Sequence, residues 1–381
     1  MTVTTWKSSR RRARSLTPPR VRAVFRTAVL LTAPLLLLSA AACGGGSVLS
    51  TPGPPGLSSA PGSPSPSSVT SGTRHVRTVG PDSALVRSRR SVRFRFRFVG
   101  AVPSSWRWRV VSFYGDEVAA GRRATTAGRS TGGVTWNGLR ADGSRADPGL
   151  YLVKVGAVGA PASSMTTIGW VRFQPPLKAR VYTRLPAAGR RVAFTFDDGG
   201  GKTAWYWILH KLRAAHVKGT FFPIGLYVGD YARRMAGLTL KYHMAIGNHS
   251  WSHPLLTWLS ATHVRAQLRR TERVWWRDFR ASPVPYLRPP YGAYNARTLA
   301  IAGRLGYSRV ILWDVDSGDW ANPGVHAIVR NVLENVRPGS IILLHTRGKA
   351  PKALPLIIAG LRARHYKMVT VPELFAAAGF H

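Results

Sequence analysis

Carboxylates and cysteines are scarce in this chain of 381 residues. It has only 15 aspartates and glutamates against 55 lysines and arginines, which gives a formal net charge of +40. Its single cysteine, Cys43, excludes an intramolecular disulfide. A surface this positive attracts polyanions, although a solvated, arginine-rich surface without a partner is the alternative. A nucleic-acid partner is not expected, because the sequence lacks the combined basic and aromatic motifs of nucleic-acid-binding folds.

A long uninterrupted apolar run is also missing near the N-terminus. Residues 28–42 are apolar, but the run is short and contains Pro34, so it does not predict a membrane-spanning helix. Residues 7–26 before it hold eight lysines and arginines and no acid. A basic segment, an apolar segment and then small residues are typical of a secretory signal. We therefore expect export, with an uncleaved anchor as the alternative.

The end of this signal resembles that of a bacterial lipoprotein. Cys43 directly follows Leu38-Ser-Ala-Ala-Ala42 and precedes a glycine run. The resemblance implies a signal peptide over residues 1–43, lipidation of Cys43 and a membrane contact through the lipid anchor. Ala40–Ala42 also fits an ordinary A-x-A cleavage site, which would leave the protein secreted. In either case anionic polymers of the cell envelope are the expected polyanions.

Two segments of different character follow the signal. Residues 44–86 are rich in Gly, Pro and Ser and predict a disordered linker. Residues 87–175 alternate apolar and polar residues, as in Val92-Arg-Phe-Arg-Phe-Arg-Phe98, and contain Asp-Gly and Pro-Gly turns. This pattern predicts a small antiparallel β-sandwich. The spacing of "WNG", "DG" and "PGLY" resembles the Ig-like domain of flagellar hook-capping proteins, which implies an all-β Ig-like sandwich.

From residue 183 onward the pattern becomes strand, helix, strand. Strand-like runs are "RRVAFTF", "VKGTFFPIG", "YHMAIGN", "VPYLRPP", "SRVILWDV", "SIILLHT" and "YKMVTV". Helix-length stretches lie between most of them, such as Ala204–Ala215, Thr262–Phe279 and Ala296–Leu305. Apolar strands alternating with helices indicate a parallel sheet covered by helices. A small distorted β/α barrel of about seven units fits residues 183–381, with an open doubly wound sheet as the alternative.

The scarce acids and several histidines follow the predicted strands, where both architectures place their functional sites. Five of the 15 acids fall in "TFDDG" and "WDVDSGDW". Residues with acid–base or metal-binding chemistry at these strand ends are Asp197, Asp198, His249, His253, Arg288, Asp316 and His345. Asp-Gly pairs often mark only turns, but five strand ends carrying such side chains indicate a shared site.

His249 and His253 are four residues apart, which on a helical turn places both imidazoles on one face. Two histidines and a carboxylate leave one metal position open, which is typical of a catalytic metal site. Adjacent strand residues point to opposite faces. At the strand end, however, the glycines after Asp198 allow a turn that lets both Asp197 and Asp198 reach one pocket.

"TFDDG", "HSWSH", "RPPY", "DSGDW" and "LLH" together resemble the five ordered motifs of the polysaccharide deacetylase, or NodB-homology, family. The resemblance covers residues 183–381. It implies a distorted (β/α)7 barrel and metal-dependent removal of acetyl groups from acetylated polysaccharides. It also implies that Asp198, His249 and His253 bind a divalent metal, usually zinc, with cobalt or another ion as alternatives.

The resemblance further implies individual catalytic roles. Asp197 would be the general base and His345 the general acid. Arg288 would orient Asp197, Asp316 would pair with His345 or Arg288, and the Tyr291 N–H would hold the oxyanion. In the substrate site, Trp320 would form one wall of the sugar-binding site and Leu343 would line the acetyl pocket.

The substrate expected from this reading is an N-acetylated cell-wall sugar, either peptidoglycan or another N-acetylglucosamine polymer. Two alternatives remain open. One is an O-acetyl esterase acting on xylan-like glycans. The other is a wall-binding protein that kept the barrel without the activity.

Overall fold

The computed structural model describes residues 76–87 and 90–380, apart from the side chains of Asp230 and Tyr231. The predicted signal peptide, Cys43 and most of the predicted linker lie outside the described residues. Within the described part, every helix is too short or too polar to cross a bilayer.

Residues 76–173 form two β-sheets, here called the two-sheet region. The strands are β1 (Val76–Val79), β2 (Ser83–Val86), β3 (Val92–Phe98), β4 (Ser105–Ser112), β5 (Glu117–Ala124), β6 (Thr131–Trp136), β7 (Gly149–Ala157) and β8 (Thr166–Phe173). One sheet has the order β1-β3-β6 and the other β2-β8-β7-β4-β5. The pairs are antiparallel except for β2 with β8. The likeness to a hook-capping Ig-like domain stays a prediction.

The buried faces of both sheets share one core. In β3 the alternation places Phe94, Phe96 and Phe98 inside and the intervening arginines outside, because successive side chains of a strand point to opposite faces. Phe96 packs edge-on against Trp106 of the other sheet at 4.9 Å between ring centroids. Trp106 is therefore a core residue.

The predicted linker over residues 44–86 ends too late. Residues 76–79 and 83–86 form β1 and β2, which pair with β3 and β8 respectively. Each has only four residues, too few to show a clear alternation of polar and apolar side chains. Their pairing partners are what make them strands, and local sequence does not reveal those partners.

The second part of the chain alternates strands with helices. Its strands are β9 (Arg180–Tyr182), β10 (Arg191–Asp198), β11 (Thr220–Pro223), β12 (Ala245–Ile246), β13 (Tyr286–Leu287), β14 (Arg309–Ile311), β15 (Val315–Asp316), β16 (Ile341–His345) and β17 (Lys367–Val369). Its α-helices are α1 (Lys202–Ala214), α2 (Arg233–Lys241), α3 (Ala261–Phe279), α4 (Ala296–Arg304), α5 (Val325–Asn335), α6 (Ala350–Ala363) and α7 (Val371–Ala377). All seven predicted strand runs contain strands, and the three quoted helical stretches are helices. Both predictions are confirmed.

Parallel pairing, one isolated bridge and one bend of the chain arrange these strands in a ring. β10 pairs with β11 and β16, and β11 pairs with β12. A bridge between Asn248 and Leu287 joins the end of β12 to β13, which pairs with β14. The chain then bends from β14 into β15, which pairs with β16. The closed ring excludes the open doubly wound sheet.

Two further strands extend the ring at its amino-terminal end. β9 pairs with β14, and β17 pairs with the first residues of β10. Because the ring strands run parallel, their carboxyl ends lie at the opposite end. That end carries the residues singled out in the sequence.

Candidate active site

The two adjacent aspartates end β10, where the backbone turns. Asp198 has φ of 79° and Gly199 has φ of 90°, a left-handed conformation that side-chain-bearing residues seldom adopt. Both carboxylates consequently line the same cavity. The parallel register places Asp197 opposite His345 on β16.

Asp198, His249 and His253 form a cluster with metal-binding geometry. One ligand atom from each lies within 4.8 Å of the others. Nε2 of each histidine is 3.8 Å from Asp198 Oδ1. His249 uses Nδ1 for a 2.8 Å hydrogen bond with the Arg288 carbonyl, which leaves Nε2 to face the carboxylates. The donor set fits a divalent zinc-like cation with an open position.

Electrostatics favour a neutral His253. Burial is the main cause that lowers its pKa, and the neighbouring His249 lowers it further, against the opposing effect of Asp198. A neutral imidazole is the form that binds metal.

The two histidines are not on a helical turn, so that expectation was wrong. Residues 249–253 form a loop after β12 in which Ser250 and His253 have φ of 64° and 62°. Asn248 Oδ1 accepts a hydrogen bond from the Ser250 N–H at 2.8 Å, and Ser250 Oγ accepts one from the His253 N–H at 3.0 Å. These bonds hold the imidazole centroids 4.9 Å apart. The loop therefore achieves the juxtaposition that a helix would give.

Arg288 is completely buried and fixes Asp197. Its Nη1 donates to Asp197 Oδ1 at 2.7 Å, and its other nitrogens donate to the carbonyls of Ile311 and Leu312 at 2.9 and 3.0 Å. The guanidinium also lies over the Phe222 ring, 4.5 Å from its centroid.

The protonation state of Asp197 follows from this partner. Burial alone would raise the pKa of Asp197, but the positive charge of Arg288, assisted by His249 and His345, lowers it below the usual aspartate range. Asp197 is thus held as a carboxylate. Because Oδ1 bonds to Arg288, Oδ2 is left toward the metal cluster, 3.6 Å from His249 Nε2.

His345 pairs with Asp319, whereas the sequence interpretation offered Asp316 as the partner of either His345 or Arg288. The His345 Nδ1 atom is 2.8 Å from Asp319 Oδ1, and the His345 backbone N–H donates to Asp319 Oδ2 at 2.7 Å. Asp319 therefore belongs to the site, although the sequence interpretation gave it no role. Burial lowers the pKa of His345, but the Asp319 hydrogen bond and the nearby carboxylates outweigh it, so the pKa lies above the usual histidine range.

Asp316 lies elsewhere in the site. Its side chain is exposed, and its Oδ1 accepts a hydrogen bond from the Gly318 N–H at 2.9 Å. Its charge acts on Arg288 through space by raising the Arg288 pKa, against the larger lowering by burial.

The cavity around the cluster has a volume of about 890 Å³. Leu343 forms a buried part of its wall, whereas Trp320 is 57% exposed at its rim. Tyr291 has φ of 60° and sets its ring against His253, with 4.6 Å between centroids. A volume of this size suits a sugar-sized ligand.

Arg347 also lines the cavity and was not anticipated from the sequence. Its Nε lies 3.8 Å from Asp198 Oδ2, and its side chain is half exposed. Its position two residues after His345 is the one sequence feature that could have predicted a place in the site. However, arginine is so frequent in this chain that one more carried little information.

Comparison with known proteins agrees with this geometry. The family model for polysaccharide deacetylase matches residues 185–310. A peptidoglycan-N-acetylglucosamine deacetylase of Bacillus cereus is 34% identical over 190 residues, which cover 48% of this chain and 68% of the relative. The chain belongs to the polysaccharide deacetylase family.

Other members of the family extend the comparison. The chitooligosaccharide deacetylase of Bradyrhizobium is 31% identical over 201 residues, covering 49% of this chain and 90% of the relative. The peptidoglycan-N-acetylglucosamine deacetylase PgdA of Listeria monocytogenes is 32% identical over 187 residues, covering 49% of this chain. That match spans only 39% of the Listeria protein.

A solved structure of a peptidoglycan N-acetylglucosamine deacetylase aligns with a TM-score of 0.50 and 32% identity. The alignment covers 52% of this chain and 94% of the solved chain. The deacetylase fold therefore accounts for about half of the molecule.

Proposed function

We propose that this protein is a metal-dependent deacetylase that hydrolyses acetyl groups on N-acetylated cell-wall sugars. The proposal rests on three features that lie in one cavity. They are the buried carboxylate of Asp197, the metal-binding cluster of Asp198, His249 and His253, and His345 paired with a carboxylate. Peptidoglycan and N-acetylglucosamine oligomers are the substrates that the names of the relatives support.

Asp198, His249 and His253 would hold the metal, with zinc first and cobalt or another divalent ion as alternatives. Bound there, a divalent cation supplies positive charge that polarises the acetyl carbonyl and lowers the pKa of water. Asp197 accepts the proton of the attacking water, because Arg288 keeps it ionised and directs its second oxygen into the site.

His345 supplies the matching proton. Its raised pKa favours the protonated form, and Asp319 holds Nδ1 so that Nε2 is the atom left to donate. That proton goes to the leaving amine, or to the leaving alcohol if the substrate is an ester. The Tyr291 N–H is the proposed donor to the oxyanion, Leu343 the contact for the acetyl methyl group and Trp320 the wall of the sugar subsite.

The test is acetate release from N-acetylglucosamine oligomers, intact peptidoglycan and acetylated xylan, before and after chelation. We expect release from the first two substrates, loss on chelation and recovery with zinc or cobalt. Full activity in a metal-free preparation would contradict the metal role. Faster turnover of acetylated xylan would indicate the O-esterase, and no release from any substrate would indicate the wall-binding protein.

Export and tethering form a separate proposal that rests on the sequence alone. We propose that the protein is surface-associated through a lipid on Cys43, with ordinary secretion as the alternative. Cys43→Ala should release protein into the medium or stall its processing. Wild-type protein that is already fully soluble outside the cell would contradict the anchor.

A further inference from the structure

The outer surface of the β1-β3-β6 sheet carries four arginines on one face. The register sets Arg77 opposite Arg97, and Arg93, Arg95 and Arg97 are alternate residues of β3 with exposed side chains. Residues opposite each other in an antiparallel pair lie on the same face. We call this surface the arginine face; its members are Arg77, Val79, Arg93, Arg95, Arg97, Thr131, Gly133 and Thr135.

The positive charge of this face is not neutralised within the described residues. No carboxylate there lies within 4.0 Å of the guanidinium groups of Arg77, Arg93, Arg95 or Arg97. Residues 1–81 contain no acid, so the chain that precedes the face carries none to it. Like charges placed directly opposite, as in Arg77 and Arg97, destabilise a sheet. An external anion would remove this repulsion.

Protection of a sheet edge does not explain the pattern. Charged residues on edge strands prevent unwanted pairing, but β3 is the central strand of its sheet and carries three of the four arginines. Gly133 beside them leaves room for a guanidinium to lie across the sheet, since a Cβ there would be 3.1 Å from Arg93 Nε. The result is a cationic face on the central strand of the sheet.

The spacing and composition of the face indicate what binds it. Alternate residues of a strand are about 6.7 Å apart, so Arg93, Arg95 and Arg97 form a regular row of cations. Arginine binds phosphate oxygens bidentately. A linear polymer with repeating phosphates can therefore contact several arginines at once.

Two other polyanions fit the face less well. Single-stranded nucleic acid binds proteins through aromatic side chains that stack on its bases, but the phenylalanines of β3 all point into the core. Stable binding to a membrane surface is strengthened by apolar side chains that insert between lipids, and among its members Val79 is the single large apolar residue. We propose that the arginine face binds a base-free phosphodiester polymer, such as a polyol-phosphate chain of the cell envelope.

The test compares binding of the full-length protein to immobilised poly(glycerol phosphate), to single-stranded DNA of similar length and to phosphatidylglycerol vesicles across a salt series. The variant replaces Arg93, Arg95 and Arg97 with glutamine. The matched control replaces Arg122, Arg123 and Arg129, three exposed arginines of β5 and the turn after it, and loses the same charge. Thermal melting and circular dichroism verify that each variant is folded.

We expect tight, salt-sensitive binding of wild type to the polyol phosphate. The β3 variant should bind at least about tenfold more weakly. The slope of its log affinity against log salt concentration should be smaller in magnitude by about 2 to 3. The control should keep the wild-type slope. If the triple variant fails to fold, Arg95→Gln alone should reduce the slope by about 1.

Three outcomes would overturn the proposal. An equal loss in the control would show that net charge alone attracts the polymer. Tighter binding to DNA, or binding to vesicles alone, would identify a different partner. A polymer affinity that does not respond to salt would exclude phosphate contacts altogether. Because these measurements need no turnover, they are independent of the deacetylase proposal.

Discussion

Asp197 and Asp198 are neighbours in the chain but differ in their partners. Asp197 is buried and bonded to Arg288, whereas Asp198 faces both histidines of the triad and Arg347. The proposed separation of proton acceptor from metal ligand therefore depends on which residues each carboxylate contacts. This division can be tested by comparing variants that differ in one atom or one side chain.

Asp197→Asn should retain the metal and lose turnover, while His249→Ala should lose the metal. The amide cannot accept the proton, and a missing general base typically costs on the order of 100- to 10,000-fold in rate. Metal content by elemental analysis and acetate release measure the two effects separately. Equal metal loss in both variants would show that the roles of the two aspartates are assigned wrongly.

Asp319→Asn should shift the pH dependence of the reaction. Its carboxylate raises the pKa of His345, so without that charge the pKa falls and the imidazole loses its proton at lower pH. The alkaline limb of the kcat/KM profile should move to lower pH, with kcat at least about tenfold lower at neutral pH.

Asp316→Asn is the matched control, because that carboxylate is exposed and bonded to Gly318. It should leave the alkaline limb in place. If Asp316→Asn moves the limb and Asp319→Asn does not, the pairing seen in the structure is not the one that operates.

The sequence identified the segment of this partner but not the residue. Asp314, Asp316 and Asp319 all lie in "WDVDSGDW", and their spacing does not reveal which one meets His345. The turn at Gly318, with φ of 69°, directs Asp319 inward, so Asp319 is the aspartate that meets His345. A backbone turn of this kind depends on tertiary packing, which local sequence does not record.

At the scale of elements, the site depends on a close contact between two loops. The loop after β10 passes so near the loop after β16 that a Cβ on Gly201 would lie 2.3 Å from the Thr346 carbonyl oxygen. Thr346 follows His345 and also donates through Oγ1 to the Asp197 carbonyl at 3.1 Å. Glycine at 201 therefore keeps the two catalytic strand ends together.

Gly201→Ala should lower both activity and stability. The added methyl group must push the Thr346 backbone away, which moves His345 relative to Asp197 and costs about 1–3 kcal/mol. Acetate release and thermal melting measure the two effects. Gly324→Ala is the control, because a Cβ there meets no atom within 4 Å. A Gly201→Ala enzyme with wild-type kcat would show that the loop contact is not required.

Elements with a strong local pattern were predictable, and short ones were not. The apolar run of β10 is buried on both sides of the sheet and was readable as a strand. β9, with three residues, was missed. "SRVILWDV" was read as one strand but contains both β14 and β15, since the chain bends between them to pair first with β13 and then with β16. The bend is required by the ring of strands and is not visible in the local sequence.

At the scale of the whole molecule, the two-sheet region and the barrel are joined by an ion pair whose arginine is buried and whose aspartate side chain is 32% exposed. Arg309 on β14 donates to Asp147 Oδ2 at 2.7 Å and to the Tyr286 hydroxyl at 3.1 Å. The guanidinium also lies over the Phe375 ring of α7, 4.4 Å from its centroid. Arg309 is only 9% exposed, so its charge depends on Asp147 for compensation.

Asp147→Asn should therefore destabilise the molecule by about 1–3 kcal/mol, because it leaves a buried guanidinium without its carboxylate. Denaturant unfolding measures the change. Glu117→Gln, which breaks the exposed pair with Arg109, should cost under about 1 kcal/mol. Similar losses in the two variants would show that the junction pair is no more important than a surface one.

The β10–β16 pairing has a consequence for the order in which function arises during folding. Asp197 and His345 face each other in adjacent strands, yet β11 to β15 and α1 to α5 lie between them in the chain. Closing so long a loop is entropically costly, so contacts of this kind form late. The proposed base and the proposed acid therefore meet only when the ring closes, so a chain that is still being synthesised lacks the complete site.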